Sequence, residues 1–240
     1  MPPLILAHRT GVARAPENSM QGFLQCSRDG ADALECDITF TKDGEPFVWD
    51  VASVRLQNTK KPLSEMTFCE ARKVARRDCA EGLMHLNDTW SFIETHPRIK
   101  IYFDVKYYSW HAAGHFQRMS RNLEELAIEK IIMPAVKMNI DNRIGFVTFE
   151  GGADLLSSVK ERSSKIATSL MLVLPEPWLE LRDSWRGCAD SFTVGWHKYN
   201  YWKYCRRSLE EIRCFAGEAH TPVYGGLANS DEEIKWLSKG

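Results

Sequence analysis

The sequence lacks the features that would place it in several broad classes. It has no Cys-x-x-Cys pair, and its seven cysteines are scattered at 26, 36, 69, 79, 188, 205 and 214. An odd count at irregular spacing fits reduced thiols rather than a disulfide framework, and it argues against a cysteine-built zinc site. No segment approaches the ~20 consecutive apolar residues that a membrane-crossing helix needs. The opening residues, Met1 to His8, have no basic leader region, and their apolar run is too short for a signal peptide. Net charge is nearly absent. Lys and Arg total 31 against 32 for Asp and Glu, a formal charge of -1, which removes the electrostatic basis for non-specific nucleic-acid binding. Repeats, low-complexity tracts and Gly/Ser linkers are also missing. The expectation is a soluble, cytoplasmic protein with no nucleic-acid partner and no stable membrane anchor. Oligomeric state is left open, a homo-oligomer included.

What is present is a core-forming composition. With 240 residues, 44% of them hydrophobic, the chain can build one large α/β barrel or two small domains. A single domain over residues 1–240 is the simpler account. Apolar runs alternate with helical patterns, the signature of βα units. Strands are expected at Leu4–Ala7, Ala33–Phe40, Lys100–Val105, Ile144–Phe149, Thr168–Leu174, Ser191–Trp196 and Pro222–Tyr224, with Phe47–Trp49 as a further extended piece. Helices are expected at Met20–Asp29, capped by Ser19 and ended by Gly30, and at Thr67–Arg77, Thr89–Thr95, Arg121–Lys130, Leu209–Ala216 and Asp231–Leu237. Lys42-Asp43-Gly44 is a turn signal. Ile131–Val136 reads equally as a strand or as part of a longer connection. If it is not a strand, the chain ends one strand short of eight.

Polar residues fall at informative places on these strands. Side chains alternate faces along a strand, so Glu35 and Asp37 share one face, and so do Asp104 and Lys106. His8 and Arg9 follow the first strand directly. In a barrel such residues gather at the C-terminal rim. Three carboxylates converging there repel one another unless a cation neutralises them, and oxygen ligands favour a hard ion such as Mg²⁺ or Ca²⁺. A histidine beside that site is suited to acid/base work, and Arg9 and Lys106 to holding a phosphate. Together these groups point to phosphoryl chemistry.

The chain resembles the glycerophosphodiester phosphodiesterase family in its first fifty residues. The resemblance is carried by His8-Arg9, Ala15-Pro16-Glu17-Asn18-Ser19, Gly30-Ala31-Asp32, Glu35-Cys36-Asp37 and Thr41-Lys42-Asp43-Gly44, in order and without a gap. They match the family's HRG, PEN(S/T), GAD, ExD and TKDG elements. Tyr102-Phe103-Asp104-Val105-Lys106 is similar to its later E-x-K strand, and Pro222-Val223-Tyr224-Gly225-Gly226 to its penultimate βα unit. The resemblance implies an α/β TIM (β/α)8-type barrel, here incomplete or atypical at the C-terminus. It implies a divalent cation on Glu35, Asp37 and Asp104, acid/base chemistry at His8, and phosphate contacts from Arg9 and Lys106. It makes Glu17 and Asn18 supports of their loop.

Three positions depart from the family. Thr10 replaces the glycine of HRG, and threonine tolerates fewer backbone conformations. Asp104 is one methylene shorter than the E-x-K glutamate. Asp50, preceded by Trp49, stands where the second acid/base histidine belongs, and a carboxylic acid serves there only if it is held protonated. Asp50 is therefore either a replacement proton donor or an ordinary rim residue. The expected activity is metal-dependent hydrolysis of a small-molecule phosphodiester, a glycerophosphodiester by default, giving a phosphomonoester or cyclic phosphate and an alcohol. The alternative is a relative that makes or binds a sugar phosphodiester of the agrocinopine type, or a non-catalytic binding protein.

Other features read as structural by default. The aromatic stretch Gly195–Trp202 suits packing between barrel and helices, with a leaving-group pocket as the functional option and His197 as a stand-in acid. His85 reads as a loop histidine, with a place at the rim as the alternative. His96, His111, His115 and His220 show no metal spacing. Arg72, Lys73, Arg76 and Arg77 fall on one helix face, whose default state is solvated.

Overall fold

The strand that organises the fold is β2 (Ala33–Phe40), in which every residue after Ala33 is buried. A computed structural model describes residues 5–10, 15–50, 61–76, 80–107, 119–172, 187–194, 217 and 221–225. Strand β1 (Leu6–Ala7) and strand β5 (Lys100–Val105) both pair with β2 in parallel. The far end of β2 turns back antiparallel into β3 (Pro46–Val48), which carries β4 (Met84–His85) on its other edge. From β5 the sheet continues in parallel through β6 (Ile144–Phe149), β7 (Ala167–Leu172), β8 (Ser191–Val194) and β9 (Val223–Gly225). This is the α/β pattern of a TIM-type barrel. Among the described residues the sheet is not closed by hydrogen bonds, because β1 pairs only with β2 and β9 only with β8.

The two faces of the strands differ in chemistry. One face of β2, β5 and β6 presents Leu34, Cys36, Ile38, Ile101, Phe103, Val105 and Phe146, all fully buried against the helices. Phe103 meets Trp90 and Phe146 edge-on at ring-centroid distances of 5.7 and 6.0 Å, geometries that aromatic quadrupoles favour. The opposite face carries Glu35, Asp37, Tyr102 and Asp104. The parallel register sets Glu35 beside Tyr102 and Asp37 beside Asp104.

The helices follow local signals. In α1 (Met20–Arg28), Ser19 is in extended backbone and its hydroxyl accepts from Gly22 N at 3.0 Å. Gly30 then takes φ +89°, where a side chain would be strained. The turn after β2 is closed by Thr41, whose hydroxyl donates to Asp43 and accepts from Glu45 N, while Gly44 takes φ +82°.

Several expected boundaries shift. The helix expected over Thr67–Arg77 survives only as α2 (Phe68–Ala71), started by a Thr67–Glu70 capping box. Downstream, Ala75 bridges to Gly82 and Arg76 is drawn into the interior. The helix expected from Thr89 starts earlier, as α3 (Leu86–Thr95), because His85 and Asp88 form a capping box of their own. Ile131–Val136 is helical. It joins α4 (Arg121–Ala127) to α5 (Met133–Lys137) through a widened π-type turn at Ile128–Ile132. Pro134 sits just after that turn, which eases the clash a proline ring makes with the preceding helical carbonyl. Helix α6 (Ala153–Arg162) packs back on β7. Among the described residues no helix is long and apolar enough to cross a membrane. Leu4, the ends of the strands expected through Leu174 and Trp196, Leu209–Ala216 and Asp231–Leu237 lie outside the described residues.

Candidate active site

The site is assembled where β1 ends beside β2. His8, Arg9 and Thr10 form a tight turn in which Arg9 and Thr10 take φ +53° and +50°. The left-handed conformation at Thr10 is one that glycine adopts without cost. Here a threonine occupies it, with its hydroxyl donating to Arg9 O at 2.7 Å. The turn aims the Arg9 N–H at Glu35 Oε2, 2.7 Å away, and brings His8 Nε2 to 3.9 Å from the same oxygen.

Arg9 is the hub of the positive charge. Its Nε lies 3.2 Å from Asp37 Oδ2, and its Nη1 lies 2.8 Å from Asp50 Oδ2 and 3.6 Å from Glu17 Oε2. Burial works against the guanidinium charge, but Asp37, Asp50, Glu35 and Glu17 outweigh it and hold the group firmly protonated. Lys106 Nζ lies 2.6 Å from Asp37 Oδ1 and also pairs with Asp104.

Glu35, Asp37 and Asp104 are all buried, and each offers an oxygen within 4.8 Å of those of the other two. Burial, and then the Asp37 charge, pushes the Glu35 carboxyl well above its ordinary range. Burial raises Asp104 as well, with Lys106 opposing. Burial would also raise Asp37, but Lys106 and then Arg9 overcome it and leave that carboxylate low. The donor set fits a hard divalent cation. It is all oxygen, and burial holds two of its members back from ionising, which a bound cation would offset. Asp104 Oδ1 is buried and accepts no hydrogen bond among the described residues, a costly arrangement that a cation would relieve.

Asn18 locks the central ligand. It takes φ +52°, its Nδ2 donates to Asp37 Oδ2 at 2.8 Å, and its Oδ1 accepts from Asp37 N at 3.1 Å. Asp50 is brought in by β3. Trp49 N donates to Asp37 O at 2.9 Å, and Thr39 Oγ1 donates to Trp49 O at 2.6 Å.

The seven residues singled out from the sequence therefore meet in one cluster: His8, Arg9, Glu35, Asp37, Asp50, Asp104 and Lys106. Arg76 corrects the expectation of a solvated basic face. It is 2% exposed, donates to the carbonyls of Glu17 and Asn18, and lies over the Trp49 ring. No periodicity separates it from Arg72 and Lys73, so only the tertiary structure exposes its role. His85 is a buried cap rather than a rim residue. It accepts from Asn87 N, meets Phe47 and Phe68 edge-on, and lies 3.4 Å from Glu45. His96 stacks on Phe92. His111, His115, His197, His220, Arg77 and the aromatic stretch 195–202 lie outside the described residues.

Comparison with known proteins agrees with this geometry. Residues 8–213 match the glycerophosphoryl diester phosphodiesterase family model. Human glycerophosphodiester phosphodiesterase 1 is 30% identical over 133 residues, 52% of this chain and 38% of the human protein. A glycerophosphodiester phosphodiesterase of Caldanaerobacter subterraneus is 33% identical over 75 residues, 31% of each chain. The chain thus aligns with less than half the length of these curated relatives. Among solved structures, an Oleispira antarctica phosphodiesterase in complex with the product sn-glycerol-3-phosphate superimposes with a TM-score of 0.75 at 15% identity, over 99% of this chain and 90% of that one. A glycerophosphodiester phosphodiesterase from Agrobacterium tumefaciens gives 0.70 at 16% identity, over 99% and 92%. At such identities the superpositions speak for the fold alone, while the family model spans most of the sequence, site residues included. The chain belongs to the glycerophosphoryl diester phosphodiesterase family.

Proposed function

We propose that the chain is a metal-dependent phosphodiesterase that converts a glycerophosphodiester, or a related phosphodiester, into a phosphomonoester and an alcohol. The observation that carries this reading is the buried Glu35–Asp37–Asp104 cluster, with its oxygens within 4.8 Å of one another, flanked by Arg9, Lys106 and His8. The product complex of the Oleispira antarctica relative supports the substrate class.

Glu35, Asp37 and Asp104 would hold Mg²⁺ or Ca²⁺, which when bound supplies Lewis-acid stabilisation of phosphoryl charge. Arg9 is pinned by Asp37, Asp50 and Glu17, so its positive charge is already in place for a phosphate. Lys106 adds a second cation. His8, a third exposed at its side chain, accepts the proton of the attacking substrate hydroxyl. That oxygen bonds to phosphorus, and the bond from phosphorus to the leaving alcohol breaks. Asp50 donates the proton that the alcohol takes away, filling the place of the family's second histidine. Water then opens the cyclic phosphate to the monoester, with Asp50 taking the proton of the water and His8 returning its proton to the oxygen that leaves phosphorus. Residues 1–240 act in this reading as one barrel domain. The thiols of Cys26, Cys36 and Cys69, not in disulfides, support a reducing, cytoplasmic setting.

A second reading is favoured by the 2.8 Å pair between Asp50 and Arg9. If that pairing commits Asp50 to holding Arg9 and not to proton transfer, the protein binds or makes a sugar phosphodiester instead. Phosphorus NMR decides between the two. The protein is incubated with glycerophosphocholine, glycerophosphoinositol and a sugar phosphodiester, in Mg²⁺, Ca²⁺ or EDTA. The hydrolase reading expects metal-dependent cleavage that is lost in both His8→Ala and Asp50→Asn. Intact substrates with metal still bound would reject it in favour of the second reading.

A further inference from the structure

Arg76 is the buried charge that the proposed chemistry leaves without a task. It comes from the segment between β3 and α3, remote in sequence from every ligand, and is 2% exposed. Desolvating a guanidinium is costly, and two backbone carbonyls offset part of that cost. Its fork reaches two successive backbone carbonyls. Nη2 donates to Glu17 O at 2.6 Å and Nη1 to Asn18 O at 2.8 Å. Its Cζ lies 5.0 Å from the centroid of the Trp49 ring, within the range of a cation–π contact.

The segments it touches converge on a single group. Asn18 holds the Asp37 carboxylate through its side-chain amide, and Trp49 N donates to Asp37 O. Glu17 and Asp50, the neighbours of Asn18 and Trp49, both pair with Arg9. Asn18 is also held in the left-handed region at φ +52°, a conformation that persists only where the surroundings impose it. A bidentate donor on the two carbonyls of that bend imposes it directly.

We propose that Arg76 is a positioning residue for the site. It clamps the Glu17–Asn18 bend and the Trp49 ring together, and so fixes Asp37, Arg9 and Asp50 relative to one another. Its kinetic consequence rests on the phosphodiesterase reading, whereas its effect on the site's geometry and cation affinity does not. Lysine cannot replace it fully, because a single ammonium cannot both fork onto two carbonyls and lie flat on a ring.

The test uses the full chain with Arg76→Lys, Arg76→Met and Trp49→Leu. Amide hydrogen exchange over residues 15–22 reads the bend, and calorimetric titration with Mg²⁺ reads the ligand cluster. Exchange there should quicken in every variant. Mg²⁺ affinity should fall by about 10–100-fold in Arg76→Met, the range typical of groups that orient metal ligands, with Arg76→Lys between that variant and wild type. With glycerophosphocholine, kcat should fall in the same order while KM changes little. If Arg76→Met does not fold, Arg76→Lys and Trp49→Leu carry the same readouts. Wild-type exchange and Mg²⁺ affinity in the folded variants would overturn the assignment. Should the wild type bind Mg²⁺ yet cleave no phosphodiester, the phosphodiesterase reading alone fails, and exchange and affinity still decide the role of Arg76.

Discussion

Asn18 and Asp37 exchange two hydrogen bonds, side-chain amide to carboxylate at 2.8 Å and backbone N–H to side-chain carbonyl at 3.1 Å. The pair is buried, and one partner is charged, so truncation leaves a carboxylate oxygen and a backbone N–H without those bonds. Asn18→Ala should cost about 3 kcal/mol, from lost charge-assisted bonding and the unpaired groups it leaves. For a chain of this size that is roughly 6–12 °C in Tm. Asn18→Gly separates the causes, because glycine accepts φ +52° freely. It should lose less than Ala yet remain below wild type. Equal Tm values for Asn18→Gly and wild type would show that the side-chain bonds contribute nothing.

Lys106 sits between Asp37 and Asp104 as a built-in cation. Lys106→Met leaves two buried carboxylates facing each other, and breaking a buried pair from one side typically costs about 3–5 kcal/mol. That loss should be seen in EDTA. Added Mg²⁺ replaces the missing charge and stabilises by mass action, so the Mg²⁺-induced rise in Tm should be larger in the variant than in wild type. A smaller rise would mean that Lys106 supports cation binding and does not compete with it.

The pH dependence of the metal-free protein follows from the same cluster. Glu35 is held above its ordinary value, which is about 4.3 in an unfolded chain. Between that value and the raised folded one, the native state binds more protons than the unfolded state, so stability falls as pH rises through the window. Asp104 acts in the same direction. Asp37 acts in the opposite one. Its lowered carboxylate adds stability above about pH 3.9 that is lost as pH falls further. Urea unfolding in EDTA from about pH 4 to about pH 7.5 should therefore show Glu35→Gln gaining on wild type as pH rises. Parallel curves would mean that Glu35 does not carry the slope.

Most of the site was legible because its residues lie on regular strands. The two-residue period alone put Glu35 with Asp37 and Asp104 with Lys106; Asp37 and Asp104 meet across the β2–β5 register, and Lys106, just past β5, reaches Asp37. Thr10 was legible as a backbone problem, and it does sit at φ +50°. The region between β3 and α3 was not legible. There the helical pattern of residues 67–77 describes local propensity, while the structure is set by long-range contacts. Arg76 reaches a bend 58 residues away in sequence, and His85 caps a helix although histidine is a weak capping signal. The Ile131–Val136 segment was ambiguous for a different reason. A short apolar run supports strand and buried helix alike, and burial of Ile131, Ile132 and Ala135 on a helical spacing resolves it.

Gly145 marks how tightly the inner face of the barrel is filled. A Cβ added there would lie 2.5 Å from Tyr102 Cε1 and 2.6 Å from its Cδ1, closer than carbon atoms approach. The Tyr102 ring, which the register sets beside Glu35 on the other side, would have to move or the strands part. Gly145→Ala should destabilise by about 1–3 kcal/mol, the usual cost of overpacking. The strain resides in one contact, so Tyr102→Leu should absorb part of it. A double-mutant cycle by urea unfolding should show Gly145→Ala costing measurably less in the Tyr102→Leu background, a coupling of about 1 kcal/mol or more between touching residues. Strict additivity would place the strain in the β5–β6 backbone, and Gly145 would then matter for strand spacing and not for making room for the ring.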